Sequence, residues 1–162
     1  GDVYFNKYQA RSTWFLPLWL DHVFMVNGKV GFINEMSGGK LPVYEKFFLG
    51  GINSVRGYKY ASISPIDPAT GDKIGGEKMW VYNVEYRFPF VEEVGLIGVV
   101  FFDAGNVFTK DQKFGLKAKR SVGGGVRWYS PVGPIRIEYG RKLDREAGES
   151  SGDYELSVGG VF

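Results

Sequence analysis

Apolar and polar side chains alternate at every second position through most of this chain, which is the period of a β-strand with two unlike faces. In the opening stretch Tyr8, Ala10, Ser12 and Trp14 stand opposite Lys7, Gln9, Arg11 and Thr13. Phe24, Val26, Gly28, Val30 and Phe32 then alternate with Asn27, Lys29 and Gly31. Trp80, Tyr82, Val84, Tyr86 and Phe88 alternate with Val81, Asn83, Glu85 and Arg87. Segment 96–107 is apolar on both faces until Asp103. After it, Val122, Gly124, Val126 and Trp128 alternate with Gly123, Gly125 and Arg127, and Ile135, Ile137 and Tyr139 with Arg136, Glu138 and Gly140. In the final segment, 153–162, Tyr154, Leu156, Val158, Gly160 and Phe162 share one face, opposite Glu155, Ser157, Gly159 and Val161. The pattern predicts about seven strands, each near the roughly 10 residues that cross an outer membrane at a tilt.

The connections alternate in length. Short proline-bearing turns fall at 15–22, 89–95 and 129–134, and long polar connections at about 35–79, 109–120 and 141–152. Short turns on one rim and long loops on the other are the signature of an up-and-down membrane barrel. A soluble antiparallel sandwich or lipocalin-like barrel alternates in the same way, but three features weigh against it. Aromatics gather near strand ends (Trp14, Phe15, Trp19; Phe88, Phe90; Trp128, Tyr129), as in an interfacial girdle. The opposite faces carry Arg, Lys, Glu and Gln, which a packed core excludes unless they are paired. The chain also ends on an aromatic strand residue.

Composition sharpens the picture. There are 13 Phe, 10 Tyr, 4 Trp and 24 Gly, with a mean hydropathy of −0.16. Strands with one greasy and one polar face account for that mixture. No run of about 20 apolar residues exists to form a membrane helix. A net charge of +2, from 20 basic and 18 acidic residues, gives no nucleic-acid footprint. Cysteine is absent, and the single histidine, His22, rules out a histidine-rich metal site and leaves a Ser-His-Asp hydrolase without a nearby serine. Gly123-Gly124-Gly125 lies within a strand with no Lys-Ser/Thr after it, so it is not a phosphate cradle. No cofactor is expected.

The long connection reads Leu41-Pro42-Val43-Tyr44-Glu45-Lys46-Phe47-Phe48-Leu49-Gly50-Gly51-Ile52-Asn53-Ser54-Val55-Arg56-Gly57-Tyr58. A Tyr-Glu-x-Phe-x-x-Gly-Gly segment followed by Val-Arg-Gly-Tyr resembles the large loop of the BamA, TamA and two-partner-secretion superfamily. Val84-Glu85-Tyr86-Arg87-Phe88-Pro89, Phe102-Asp103-Ala104-Gly105 and Ser130-Pro131-Val132-Gly133-Pro134 resemble the following strands and a periplasmic turn of that family, in order. The ending at Phe162 resembles the carboxy-terminal recognition signal of outer-membrane proteins. The resemblance implies an all-β, antiparallel up-and-down transmembrane β-barrel. This chain would be the carboxy-terminal portion, about seven strands, of a sixteen-stranded barrel in the bacterial outer membrane. Residues 1–162 then form one partial barrel domain, and the family's periplasmic POTRA domains are absent from it.

The resemblance also assigns residues. Arg56 is implied to dock onto Glu85 and Asp103 and hold the loop in the lumen, with Tyr44, Glu45, Phe47, Gly50, Gly51, Val55, Gly57 and Tyr58 as the loop motif. The residues alone place Glu85 and Asp103 on the polar faces of consecutive strands, and an arginine fork matches carboxylates. They leave open a solvated Arg56 beside a wet channel. Gly50, Gly51 and Gly57 suit a loop packed in a narrow lumen, or ordinary turns. Tyr154, Leu156, Val158, Gly159, Gly160 and Phe162 are implied to form one side of a lateral gate, where a substrate strand adds to a sheet edge. Glycine weakens a strand, which fits a weak seam or merely tight packing.

The implied function is non-enzymatic folding and insertion of β-barrel proteins. Partners would be the outer-membrane bilayer, nascent β-barrel proteins and accessory assembly lipoproteins, with no nucleic acid. A related TamA-like or two-partner-secretion transporter, and a passive outer-membrane pore, are the alternatives. Seven strands leave two open edges, so a fragment is expected to self-associate or to need the missing strands.

Overall fold

The computed structural model describes residues 4–36 and 40–159. Seven strands form one antiparallel sheet in chain order: β1 Phe5–Pro17, β2 Val23–Glu35, β3 Lys78–Val91, β4 Leu96–Phe108, β5 Lys119–Ser130, β6 Gly133–Lys142 and β7 Gly152–Val158. Each strand pairs with its sequence neighbour, and β1 and β7 are the two edges of the sheet. Three single 3-10 turns, Trp19–Asp21, Val43–Glu45 and Glu92–Val94, sit in the connections. Strands β1 to β5 run 12 to 14 residues, long enough to cross a bilayer when tilted, while β7 has seven.

The alternation read from the sequence fixes which face is which. Trp14 pairs with Val26, Val26 with Val84, Val84 with Phe102 and Phe102 with Val122, so one row of apolar side chains runs across the outer face. The inner face carries a different row through Asn27, Asn83, Asp103, Ser121 and Lys142. A slip of one residue in any ladder would exchange the two rows, which is why the register is strongly specified. Phe15 is an exception to the girdle reading. It pairs with Met25 on the inner side, and the Arg87 guanidinium sits 5.4 Å from its ring.

The connection between β2 and β3 does not stand away from the sheet. Its described residues lie against the inner face, where Leu41, Phe47, Leu49, Val55, Tyr58 and Ile63 form one apolar cluster with Ile33, Met79, Val81 and Val107 of the strands. Paired backbone bonds join Phe47 with Gly76 and Leu49 with Ile63, so the loop satisfies part of its own main chain. Its exit is pinned by Glu77, which accepts the Lys110 backbone N–H at 2.9 Å and pairs with Lys46 at 3.1 Å. This internal core covers the inner face of β4 at Val107. Val100 and Phe102 belong to the outer row, and Val99, Phe101 and Val107 are buried on the inner side.

The last strand is described as far as Val158. The described ladder with β6 pairs Ile135 with Val158, and Gly159, at φ +80°, continues its register by donating its N–H to the Pro134 carbonyl at 2.8 Å. Gly160 and Phe162 lie outside the described residues.

Candidate functional site

The tip of the internal loop places an arginine on the inner wall. A bond from Gly51 N–H to the Tyr58 carbonyl (2.9 Å) and one from Gly50 N–H to the Ser54 hydroxyl (2.8 Å) close residues 50–58 into a compact unit. Gly50, Gly51 and Gly57 all have positive φ, at +116°, +107° and +92°. Val55, wholly buried, roots this unit in the apolar cluster, and Arg56 projects from it with 3% of its surface exposed.

Arg56 and Asp103 make a three-point contact. The guanidinium donates Nε to Oδ2 at 2.7 Å and Nη2 to Oδ1 at 2.8 Å, and the Arg56 backbone N–H donates to Oδ2 at 3.0 Å. Such bidentate, charge-assisted geometry is among the stronger side-chain contacts. The Phe101 ring lies 3.8 Å from the guanidinium carbon, so the cation is also stacked on an aromatic face. Nη1 points between two further carboxylates, Glu85 at 3.4 Å and Glu138 at 3.4 Å. Burial opposes the charge on Arg56. The hydrogen bonds and charge of Asp103, with Glu85 and Glu138, outweigh it and hold the pKa above that of a free guanidinium.

The three residues singled out in the sequence therefore meet, but not as equals. Glu85 sits closer to Arg127, whose Nη2 donates to both of its oxygens at 2.8 and 2.9 Å. Arg127 also donates to Glu138 through Nε at 3.1 Å and Nη2 at 2.7 Å, and Arg136 donates to Glu138 Oε2 at 3.0 Å. Asn83 completes the set, donating Nδ2 to Asp103 at 2.8 Å and to the loop carbonyl of Ser54 at 2.7 Å. The network thus spans strands β3 to β6 and the loop.

Glu138, Arg127, Arg136 and Asn83 were not singled out from sequence, although all four fall on polar faces of the alternation. The missing signal is the register. Pairing of Gly125 with Glu138 and of Arg127 with Arg136 brings two cations face to face around one carboxylate. Gly125 matters here because a Cβ on it would lie 2.7 Å from the Glu138 side chain. Glu138→Gln is expected to cost about 2 kcal/mol, the order of a lost hydrogen bond to a charged group. It would leave Arg127 and Arg136 opposed, and a urea titration of the lipid-embedded protein measures the loss.

The motif residues other than Arg56 stay outside the ion-pair network. Tyr44 is exposed on the Val43–Glu45 turn, and neither it nor the Glu45 side chain is among the groups that reach Arg56. Gly57 and Tyr58 instead tie the loop to the wall elsewhere: Gly57 N–H donates to Glu155 Oε1 of β7 at 3.2 Å, and the Tyr58 hydroxyl donates to the Arg120 carbonyl at 3.1 Å. Below the network a polar cavity of about 230 Å³ opens among Arg11, Asn27, Asn83, Glu85, Arg87 and Arg136. Tyr154, Leu156 and Val158 project from the outer face of the β7 edge and are exposed.

The whole chain, residues 1–162, matches the Omp85 superfamily domain. It belongs to the Omp85 superfamily. Among its relatives, the outer membrane protein assembly factor BamA of Nitratidesulfovibrio vulgaris is 41% identical over 100% of this chain and 21% of that protein. BamA of Neisseria meningitidis is 28% identical over 94% of the chain and 23% of its own length. The mouse sorting and assembly machinery component 50 homolog is 30% identical over 83% of the chain and 30% of its own length. The crystal structure of Haemophilus ducreyi BamA lacking POTRA domains 1-3 superposes with a TM-score of 0.76, covering 95% of this chain and 34% of that one, at 22% identity. This Omp85 chain therefore has the fold of a BamA barrel wall, its BamA relatives are bacterial outer-membrane proteins, and it spans about a fifth of their length.

Proposed function

We propose that this chain forms part of the barrel of an outer-membrane protein assembly factor, which folds and inserts β-barrel proteins without catalysing a covalent reaction. The observation that carries the reading is the Arg56 anchor, in a chain 41% identical throughout to a named assembly factor. An internal loop fastened by a buried guanidinium fills the inner face and braces β3 to β6, and a single bond from Gly57 N–H to Glu155 ties it to β7. In the mechanism, Arg56, Asp103, Glu85 and Glu138 hold the loop on the wall. Tyr154, Leu156 and Val158 face lipid on the strand that offers its edge. A client strand adds to that edge by main-chain hydrogen bonds and leaves sideways into the bilayer. Nascent β-barrel proteins and accessory lipoproteins are the partners this reading requires.

A direct test reconstitutes the full-length protein carrying this chain into liposomes and adds an unfolded outer-membrane barrel protein. Folding of that client, read by its unheated gel shift, is expected to be faster than in empty liposomes of the same lipid. Equal rates would remove the assembly reading and favour a passive pore, which steady single-channel conductance would then identify.

A further inference from the structure

The connection between β4 and β5 does not rise clear of the sheet but folds back over its outer face. Lys78, Trp80 and Asn106 stand in the outward rows of β3 and β4, the same face as Val84 and Phe102, at the strand ends nearest the long loops. All three donate to carbonyls of the connection. Lys78 Nζ reaches Gln112 at 2.8 Å, the Trp80 indole Gly115 at 2.9 Å, and Asn106 Nδ2 Lys117 at 2.9 Å. The Phe114 ring packs 5.9 Å from that of Phe108, which is buried although it stands in an outward row. Side chains of two central strands thus hold the connection down on the lipid side of the wall.

What the connection turns away from the wall is both greasy and basic. Leu116 is 95% exposed and Phe114 48%, with the exposed Lys113 and Lys117 beside them. Residues 109–120 hold five basic side chains and one acid, Asp111. Acids of the neighbouring segments are engaged elsewhere: Glu35 with Lys110, Glu146 with Lys119 and Asp144 with Arg120. Among the described residues, Lys113 and Lys117 are in no ion pair. Apolar side chains flanked by lysines suit the level where headgroups meet acyl chains. There the apolar groups leave water, and each lysine lays its stem on them while its ammonium stays among phosphates.

We propose that residues 109–118 form a lipid-binding strap, in which Phe114 and Leu116 enter the rim of the outer leaflet and Lys113 and Lys117 bind the phosphate of an anionic lipid. The outer leaflet follows from the long connections, which face outward in such barrels. The three bonds from the wall go to main-chain carbonyls, so they set the height of the strap whatever side chains it carries. The apolar pair gives affinity for any bilayer, and the lysines give the preference for negative headgroups. The inference requires only that the outer face of the sheet meet lipid. It holds whether the barrel assembles clients or conducts passively.

The test uses the full-length protein in phosphatidylcholine nanodiscs at low salt, with the small apolar fluorophore bimane on Leu116→Cys as its only cysteine. Nitroxide-bearing phosphatidylglycerol or nitroxide-bearing phosphatidylcholine is then added in rising mole fraction, and quenching of the bimane is read. Phosphatidylglycerol is expected to half-quench at about a tenfold lower mole fraction than phosphatidylcholine, and raised salt should erase most of the difference. Lys113→Gln with Lys117→Gln leaves every wall bond in place and should bring the two lipids together. Trp80→Phe removes the donor to Gly115 and should weaken quenching by both lipids alike. Equal half-quenching by the two lipids on the strap with its lysines would overturn the anionic site. A preference that survives the double glutamine substitution would belong to other cations and overturn the assignment. No quenching by either lipid would put Leu116 in water and overturn the strap itself.

Discussion

Arg56→Ala is expected to release the internal loop and to cost about 3–5 kcal/mol, the usual loss when one member of a buried ion pair is removed. The size follows from what is left behind. Asp103 is wholly buried and Glu85 is 2% exposed, so neither carboxylate regains water when the cation goes. Glu85 and Glu138 keep Arg127, but Asp103 keeps only the Asn83 amide and the loop backbone N–H. The Phe101 face loses its stacked cation in the same step. Arg56→Lys should fall between the two, since an ammonium restores the charge but cannot form the fork on Asp103. Limited proteolysis of residues 36–77 in the liposome-embedded full-length protein reads loop release, and urea unfolding reads the energy. A loop that stays equally resistant in Arg56→Ala would mean that the Leu49, Val55 and Tyr58 cluster holds it alone.

Strand positions and faces were legible in the sequence because one face meets lipid and the other does not, which imprints a period of two on every strand. The seven segments recur in the structure within a few residues and the connections alternate short and long in the order expected, but 15–17 and 89–91, read as parts of turns, extend β1 and β3 with Pro17 and Pro89 inside their ladders. Strand ends were less legible. The first and third strands run past the turn residues at which the pattern ended them, to Pro17 and Val91. The pairing of Arg56 with Asp103 came from a motif rather than from chemistry, since an arginine 47 residues from its acid carries no local signal. Arg127 and Glu138 were hidden for a different reason. Each looks like one more polar residue facing a channel, and only the register of β5 on β6 shows that Gly125 makes the room in which they meet. Beside the motif, the double-faced apolar character of β4 was a sequence trace of the loop's position, since the loop's cluster covers its inner face at Val107.

Gly57→Ala is expected to unseat the loop nearly as effectively as Arg56→Ala, although it removes no charge. Two costs combine. Gly57 adopts φ +92°, and an L side chain in the left-handed region costs about 1–2 kcal/mol. A Cβ there would also lie 2.6 Å from the carbonyl oxygen of Gly140, a backbone atom of β6 that cannot rotate aside. Forcing such a contact adds about 1–3 kcal/mol. Gly71 in the same loop separates the two costs. It also has a positive φ, +77°, but nothing lies within 4 Å of its would-be Cβ, so Gly71→Ala bears the conformational cost alone. Gly140→Ala bears the steric cost alone, with its Cβ 2.6 Å from the Arg56 carbonyl carbon and the Gly57 nitrogen. If the loop is held by close seating on the wall, Gly57→Ala and Gly140→Ala should both raise protease cleavage of residues 36–77 while Gly71→Ala leaves it unchanged. Combining Gly140→Ala with Arg56→Ala should then add little, because a loop already lifted off β6 no longer brings its guanidinium to Asp103. Full additivity of the two would mean that the steric seat and the ion pair act independently, and that the arginine reaches its carboxylates without the glycine contact.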